Sequence, residues 1–139
     1  MKVKDLMIGD LIKWNQVLWT EKDGSRLNPL FAEVRAIGEH YIHLKGLPAA
    51  DISELEPIPL TPEILENNFG EKVDGEYFSG NEYYEIYIKE ISDSIWKVDY
   101  DCVEMNGIPR QSNNVCFVHE LQHALRLFGL FEFADCFSV

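Results

Sequence analysis

The chain has 139 residues, 46% of them hydrophobic and 26% charged, enough for one or two small domains with a genuine core. A formal net charge of −12 argues against a surface built to hold nucleic-acid phosphates. No apolar run approaches membrane-spanning length, Met1-Lys2-Val3-Lys4-Asp5 is not a signal peptide, and three widely spaced cysteines fit reduced thiols rather than a disulfide framework, so a cytoplasmic protein without membrane attachment is expected.

The fold class expected is α+β in two parts, residues 1–57 and 58–139. The first is β-rich. Leu6-Met7-Ile8-Gly9-Asp10-Leu11-Ile12 reads as a lead-in, a Gly-Asp turn and a strand running to Trp14. Asn15-Gln16 offers a tight turn and Val17 to Thr20 a returning strand, before a polar loop over residues 21–28. Phe31 to Ile37 alternates, with Ala32, Val34 and Ala36 on one face; Gly38-Glu39 turns the chain, and His40, Ile42 and Leu44 share a side of the next strand. Four or five short strands at this spacing predict a small SH3-like β-barrel. Trp14, Trp19 and Tyr41 are candidates to line a peptide groove on it, or to complete its core.

Glu56-Pro57-Ile58-Pro59-Leu60-Thr61-Pro62 is the hinge, because alternating prolines force an extended connector. Thr61 as N-cap, Pro62 in the first turn and Glu63 behind it start a helix that buries Ile64, Leu65 and Phe69 and stops at Gly70. Strands are expected over 76–79, 82–91 and 95–100, with Tyr84, Ile86 and Ile88 on one face and Trp96, Val98 and Tyr100 inward, and a weaker one over 102–105. The polar run 110–114 reads as a loop leading into a C-terminal amphipathic helix over 115–128, capped by Asn113 or Asn114. A helix, an antiparallel meander and a second helix make a two-layer unit. This second part carries 15 acidic and 5 basic groups against 9 and 7 in the first, so −10 of the net charge falls on it. Such a surface is either simply solvated, the reading with more weight, or it faces a basic partner or mimics nucleic acid.

The C-terminal helix carries the one motif with a mechanism, His119-Glu120-Leu121-Gln122-His123, which fits H-E-x-x-H. On a helix the two imidazoles stand one turn apart to hold zinc, and the glutamate serves as general base toward a zinc-bound water. His119, His123 and Glu120 are therefore the candidate ligands and base of a zinc-dependent hydrolase. Against this, a catalytic zinc needs a third ligand, and only sixteen residues follow His123. Positions 126 and 129, where an extended metzincin pattern has glycine and histidine, hold Arg126 and Gly129, and Arg126 would place a fixed positive charge beside the cation. Leu121, Leu125 and Phe128 give the helix a reason to exist without metal, with both histidines on the solvent side. Cys116, His119 and His123 also share a face, so with Cys102 or Cys136 they are candidates for a closed structural zinc site. The bland reading carries more weight: no catalytic residue, no cofactor and no metal.

Leu6-Met7-Ile8-Gly9-Asp10, Glu56-Pro57-Ile58-Pro59-Leu60-Thr61-Pro62-Glu63 and Val118-His119-Glu120-Leu121-Gln122-His123-Ala124-Leu125-Arg126-Leu127 together resemble small uncharacterised proteins of gut Bacteroidetes and their prophages and mobile elements. The resemblance spans almost the whole chain. It implies a cytoplasmic accessory or protein-binding role, with no activity attached. Such relatives read His-Gln-Leu-Gln at the position of His119-Glu120-Leu121-Gln122, which implies that the carboxylate is dispensable. The ending Ala134-Asp135-Cys136-Phe137-Ser138-Val139 departs from the charged, strand-like tail of that group.

Overall fold

The computed structural model describes residues 2–15, 30–103 and 110–139. The chain is α+β, with two antiparallel sheets in two compact units, Met1–Ile58 and Pro59–Val139. The expected returning strand Val17 to Thr20, the loop after it, Trp19 and the end of the weak strand at Met105 lie outside the described residues. Among the described residues no helix is long and apolar enough to cross a membrane.

Unit one is a five-stranded sheet of β1 (Leu11–Trp14), β2 (Leu30–Ile37), β3 (Tyr41–Leu44), β4 (Ala50–Asp51) and β5 (Leu55–Glu56), in the order β4-β3-β2-β1-β5. Ile12, Trp14, Val34, Ile42, Leu44 and Leu55 alternate inward to form its core, as a half-buried sheet requires. The start of β1 is fixed by Asp10, which is fully buried and accepts the Met7 N–H at 2.7 Å, while Gly9, at φ 91°, donates its N–H to the Val34 carbonyl. A 3-10 turn, Ile52–Glu54, joins β4 to β5; Asp51 caps it by accepting the Ser53 N–H at 2.8 Å, and the Ser53 hydroxyl, donating at 2.7 Å, together with that N–H holds the Asp51 carboxyl below its usual range.

Two expectations for this unit need correction. Among the described residues the sheet does not close into a barrel: β4 and β5 are its edges, each two residues long, and the turn between them carries the chain from one edge to the other. Ala36 is exposed although it follows Ala32 and Val34 at even spacing, because the register slips between Val34 and Ala36 and a bulge reverses the alternation.

Unit two begins with α1 (Pro62–Phe69). Thr61 Oγ1 accepts the Ile64 N–H at 3.3 Å, Pro62 sits in the first turn, and Gly70 ends the helix at φ 80°. Only Leu65 is fully buried; Ile64 and Phe69 are half-buried. A meander follows, β6 (Tyr77–Gly80), β7 (Tyr84–Ser92), β8 (Ile95–Cys102) and β9 (Gln111–Val115), paired in that order. Ile86, Ile88, Trp96 and Val98 form its inner face. The helices α2 (Val118–Leu127) and α3 (Phe131–Asp135) complete the unit. Tyr100 stacks on Phe128 with ring centroids 4.6 Å apart, Phe69 packs on Phe133 at 5.0 Å, and Trp96 Nε1 donates to the Leu60 carbonyl at 3.3 Å.

The run 110–114 is the largest departure from expectation. Gln111 to Asn114 form an edge strand, not a loop, with Asn113 opposite Val98 and Asn114 opposite Lys97. Neither asparagine caps α2, whose N-cap is Phe117. The strand expected over 102–105 ends instead with β8 at Cys102.

Candidate functional site

The helix bearing His119, Glu120 and His123 is short and starts without a capping side chain at its first position. Phe117, the N-cap, has extended backbone (φ −126°, ψ 157°) and no side-chain acceptor to offer the helix. Glu120, at the third helical position, reaches back past the helix start: Oε2 accepts the Cys116 N–H at 2.6 Å and the Phe117 N–H at 3.2 Å. This is the carboxylate half of a capping box, placed at the positive end of the helix dipole. The residue that the H-E-x-x-H pattern offers as a general base holds the start of the helix.

The histidines are not both on the solvent side. His119 is 5% exposed; its ring lies parallel to Phe117 at 5.9 Å and meets His123 edge-on at 5.7 Å. His123 is half-buried. The amphipathic picture fails because α2 is covered on more than one side. Leu121 and Leu125 are buried as expected, but so are Ala124 and Gln122, the latter 1% exposed with Nε2 donating to the Ala134 carbonyl at 2.9 Å. The short tail makes this possible by folding back as α3. Arg126 Nη2 lies 3.5 Å from Asp135 Oδ1, so that guanidinium ties α2 to α3.

Cys116 engages Glu120 through its backbone, and its thiol is half-buried; Cys102 is half-buried and Cys136 exposed, all three as free thiols. Among the described residues no three His, Cys, Asp or Glu side chains converge as a metal-binding set, so Cys116, His119 and His123 are not brought into a ligand sphere. The site offers two neighbouring imidazoles and a carboxylate already committed to two backbone donors.

Beside this helix lies a groove of about 230 Å³ that the sequence reading missed. Asn113, Asn114 and Val115 of β9 form one wall; Glu120, His123, Ala124 and Leu127 of α2 form the other. Leu127 is 75% exposed and was legible as an apolar residue off the buried face of the helix. A second depression, near 550 Å³, opens between the β6–β7 turn at Asn81 to Tyr84 and the Leu130 to Phe133 segment.

Of the aromatics offered for a peptide groove or for the core of unit one, Trp14 goes to the core. Trp14 is 3% exposed, in the core, with Nε1 donating to Glu54 Oε2 at 3.2 Å; Tyr41 is exposed. The outer sheet face of unit two carries Tyr87, whose hydroxyl donates to Glu85 Oε2 at 2.6 Å and whose ring supports the Arg110 guanidinium at 4.7 Å. That hydrogen bond to Glu85, then burial, push the Tyr87 hydroxyl above its ordinary pKa.

No family model, no curated protein and no solved structure matches the chain.

Proposed function

We propose that the protein is a non-enzymatic binding protein, an accessory factor of a phage-type or other mobile element, acting in the cytoplasm through contacts with other proteins. The observation that carries this reading is the engagement of Glu120. A carboxylate holding two backbone N–H groups at a helix start is poorly placed to take a proton from a water. The net charge of −10 on residues 59–139 favours basic protein partners over phosphates. The attribution to a mobile element rests on the sequence motifs at residues 6–10, 56–63 and 118–127.

We further assign unit one to the SH3-like class in an incompletely closed form. The support is the strand order β4-β3-β2-β1-β5, with a 3-10 turn between β4 and β5 and β5 returning to pair with β1.

The test is affinity purification of the tagged chain from its native host, with metal content measured on the same sample. A stoichiometric protein partner and substoichiometric zinc are expected. Stoichiometric zinc together with hydrolysis of a peptide substrate would replace this reading by the hydrolase.

A further inference from the structure

Among the described residues, no strand pairs with the outer edge of β9 at Ser112 and Asn114. In β7 and β8, the Val103 N–H donates to the Tyr83 carbonyl at 2.9 Å, which identifies Tyr83 and Val103 as a hydrogen-bonded pair. Alternation then points the backbone of Lys97, Asp99 and Asp101 at β7, and that of Trp96, Val98 and Tyr100 at β9. The pairs Trp96–Val115, Val98–Asn113 and Tyr100–Gln111 therefore exchange the β8–β9 hydrogen bonds. Ser112, Asn114 and Cys116 must point their N–H and C=O groups the other way, off the sheet.

One end of that row is already in use. The Cys116 carbonyl accepts the Leu60 N–H at 3.0 Å, its N–H goes to Glu120, and Pro59 bridges Phe117 in antiparallel sense. The edge thus accepts extended chain where it can. At Pro62 the chain turns into α1, and among the described residues no strand follows on along Ser112 and Asn114. The groove between β9 and α2 is lined along this strand by Asn113, Asn114 and Val115, with Val115, Ala124 and the exposed Leu127 as its apolar part.

We infer that the groove takes an extended basic segment of a partner protein as an added antiparallel strand on β9. Main-chain hydrogen bonds to Ser112 and Asn114 hold it, and every second side chain enters the groove against Val115, Ala124 and Leu127. The intervening side chains face a unit of net charge −10, which attracts lysine and arginine. The same charge opposes a second copy of this chain as occupant, since two units of −10 repel. The inference rests on the reading of the protein as a binding protein and names the surface it uses.

A phage-displayed library of random peptides of about eight residues, selected on the immobilised full chain, tests it. Enriched sequences are expected to alternate apolar residues with Lys or Arg. A synthetic peptide from that set should slow hydrogen exchange at the Ser112 and Asn114 amides by about tenfold or more. Asn114→Pro removes an outward N–H from an edge strand, where proline is tolerated, and Leu127→Lys alters a residue 75% exposed; each should weaken the peptide by at least about tenfold. Leu127→Lys keeps the test valid should the proline variant fail to fold. Absence of enrichment, acidic consensus sequences, or binders indifferent to Leu127→Lys overturn the inference. So does protection of the same two amides that rises with protein concentration alone, which would mean a second copy. A host partner that still co-purifies with the Leu127→Lys chain would remove the groove and leave the binding-protein reading standing; absence of any partner with the unaltered chain would remove both.

Discussion

Glu120→Ala separates a helix cap from a catalytic base. The substitution deletes the acceptor of the Cys116 and Phe117 N–H groups and the negative charge at the positive end of α2. A lost cap costs about 1 kcal/mol, up to about 2, and the charge–dipole contribution about 0.3–1 kcal/mol more at a partly exposed site. Glu120 is half-buried, so water replaces part of what is lost, and about 1–2 kcal/mol is the expected net destabilisation. Glu120→Gln keeps one acceptor oxygen and loses the charge, and should fall at about half that value. Urea denaturation followed by far-UV circular dichroism measures both, provided the slope of free energy with denaturant is unchanged. Leu127→Ala, on the same helix at a position 75% exposed, should stay within about 0.5 kcal/mol. The reasoning is refuted if Glu120→Ala is no more destabilising than Leu127→Ala, or if Glu120→Gln leaves stability untouched while abolishing a hydrolytic activity.

Leu121 is fully buried, and Leu121→Ala should cost about 2–5 kcal/mol by the same denaturation assay. Removing residues 137–139 takes away the buried Phe137 and both hydrogen bonds between Asn68 and Ser138, so the thermal midpoint should fall by several degrees, whereas a dispensable tail would leave it in place. A fragment of residues 59–139 should unfold cooperatively, because Leu65, Ile86, Trp96, Val98, Leu121 and Leu125 form a core within it; a fragment without a sigmoidal transition would mean that the two units share their stability. Tyr87 holds its proton more tightly folded than unfolded, so its contribution to stability is complete below about pH 10 and is lost as pH climbs through the raised folded value. Ultraviolet titration of Glu85→Gln should bring that phenol back toward the ordinary range, and an unmoved titration would show that Glu85 is not the cause.

Local chemistry was legible wherever the sequence repeats its own geometry. Thr61, Pro62 and Gly70 bound α1 as their side chains dictate, and the alternation of Trp96 and Val98 matches the inner face of β8. Features settled by partners distant in the chain were not. Gln111 to Asn114 have poor strand propensity and become a strand only because β8 presents unpaired backbone to them. His119 and Gln122 look solvated on a helical wheel and are buried because α2 is covered on more than one side, which a wheel does not show. The role of Glu120 was hidden: a capping box is announced by Ser or Thr three residues before the glutamate, and Phe117 stands there instead, while H-E-x-x-H gave the same residue another meaning. Ala36 fell to a bulge that no periodicity announces.

The clasp between Asn68 and Ser138 bears on the order of folding. Asn68 Nδ2 donates to the Ser138 carbonyl and Oδ1 accepts the Ser138 N–H, a pairing across 70 residues of sequence. The meander between them pairs only neighbours in sequence, and its hairpins close short loops. Closure entropy favours such contacts early and the long one late. The sheet of unit two should therefore assemble with α1 still unmoored and Phe69 without its partners Phe133 and Phe137. In native-state hydrogen exchange, α1 and α3 should open together at a lower free energy than β7 and β8, as one cooperative segment joined by the Asn68 clasp and the Phe69 ring contacts.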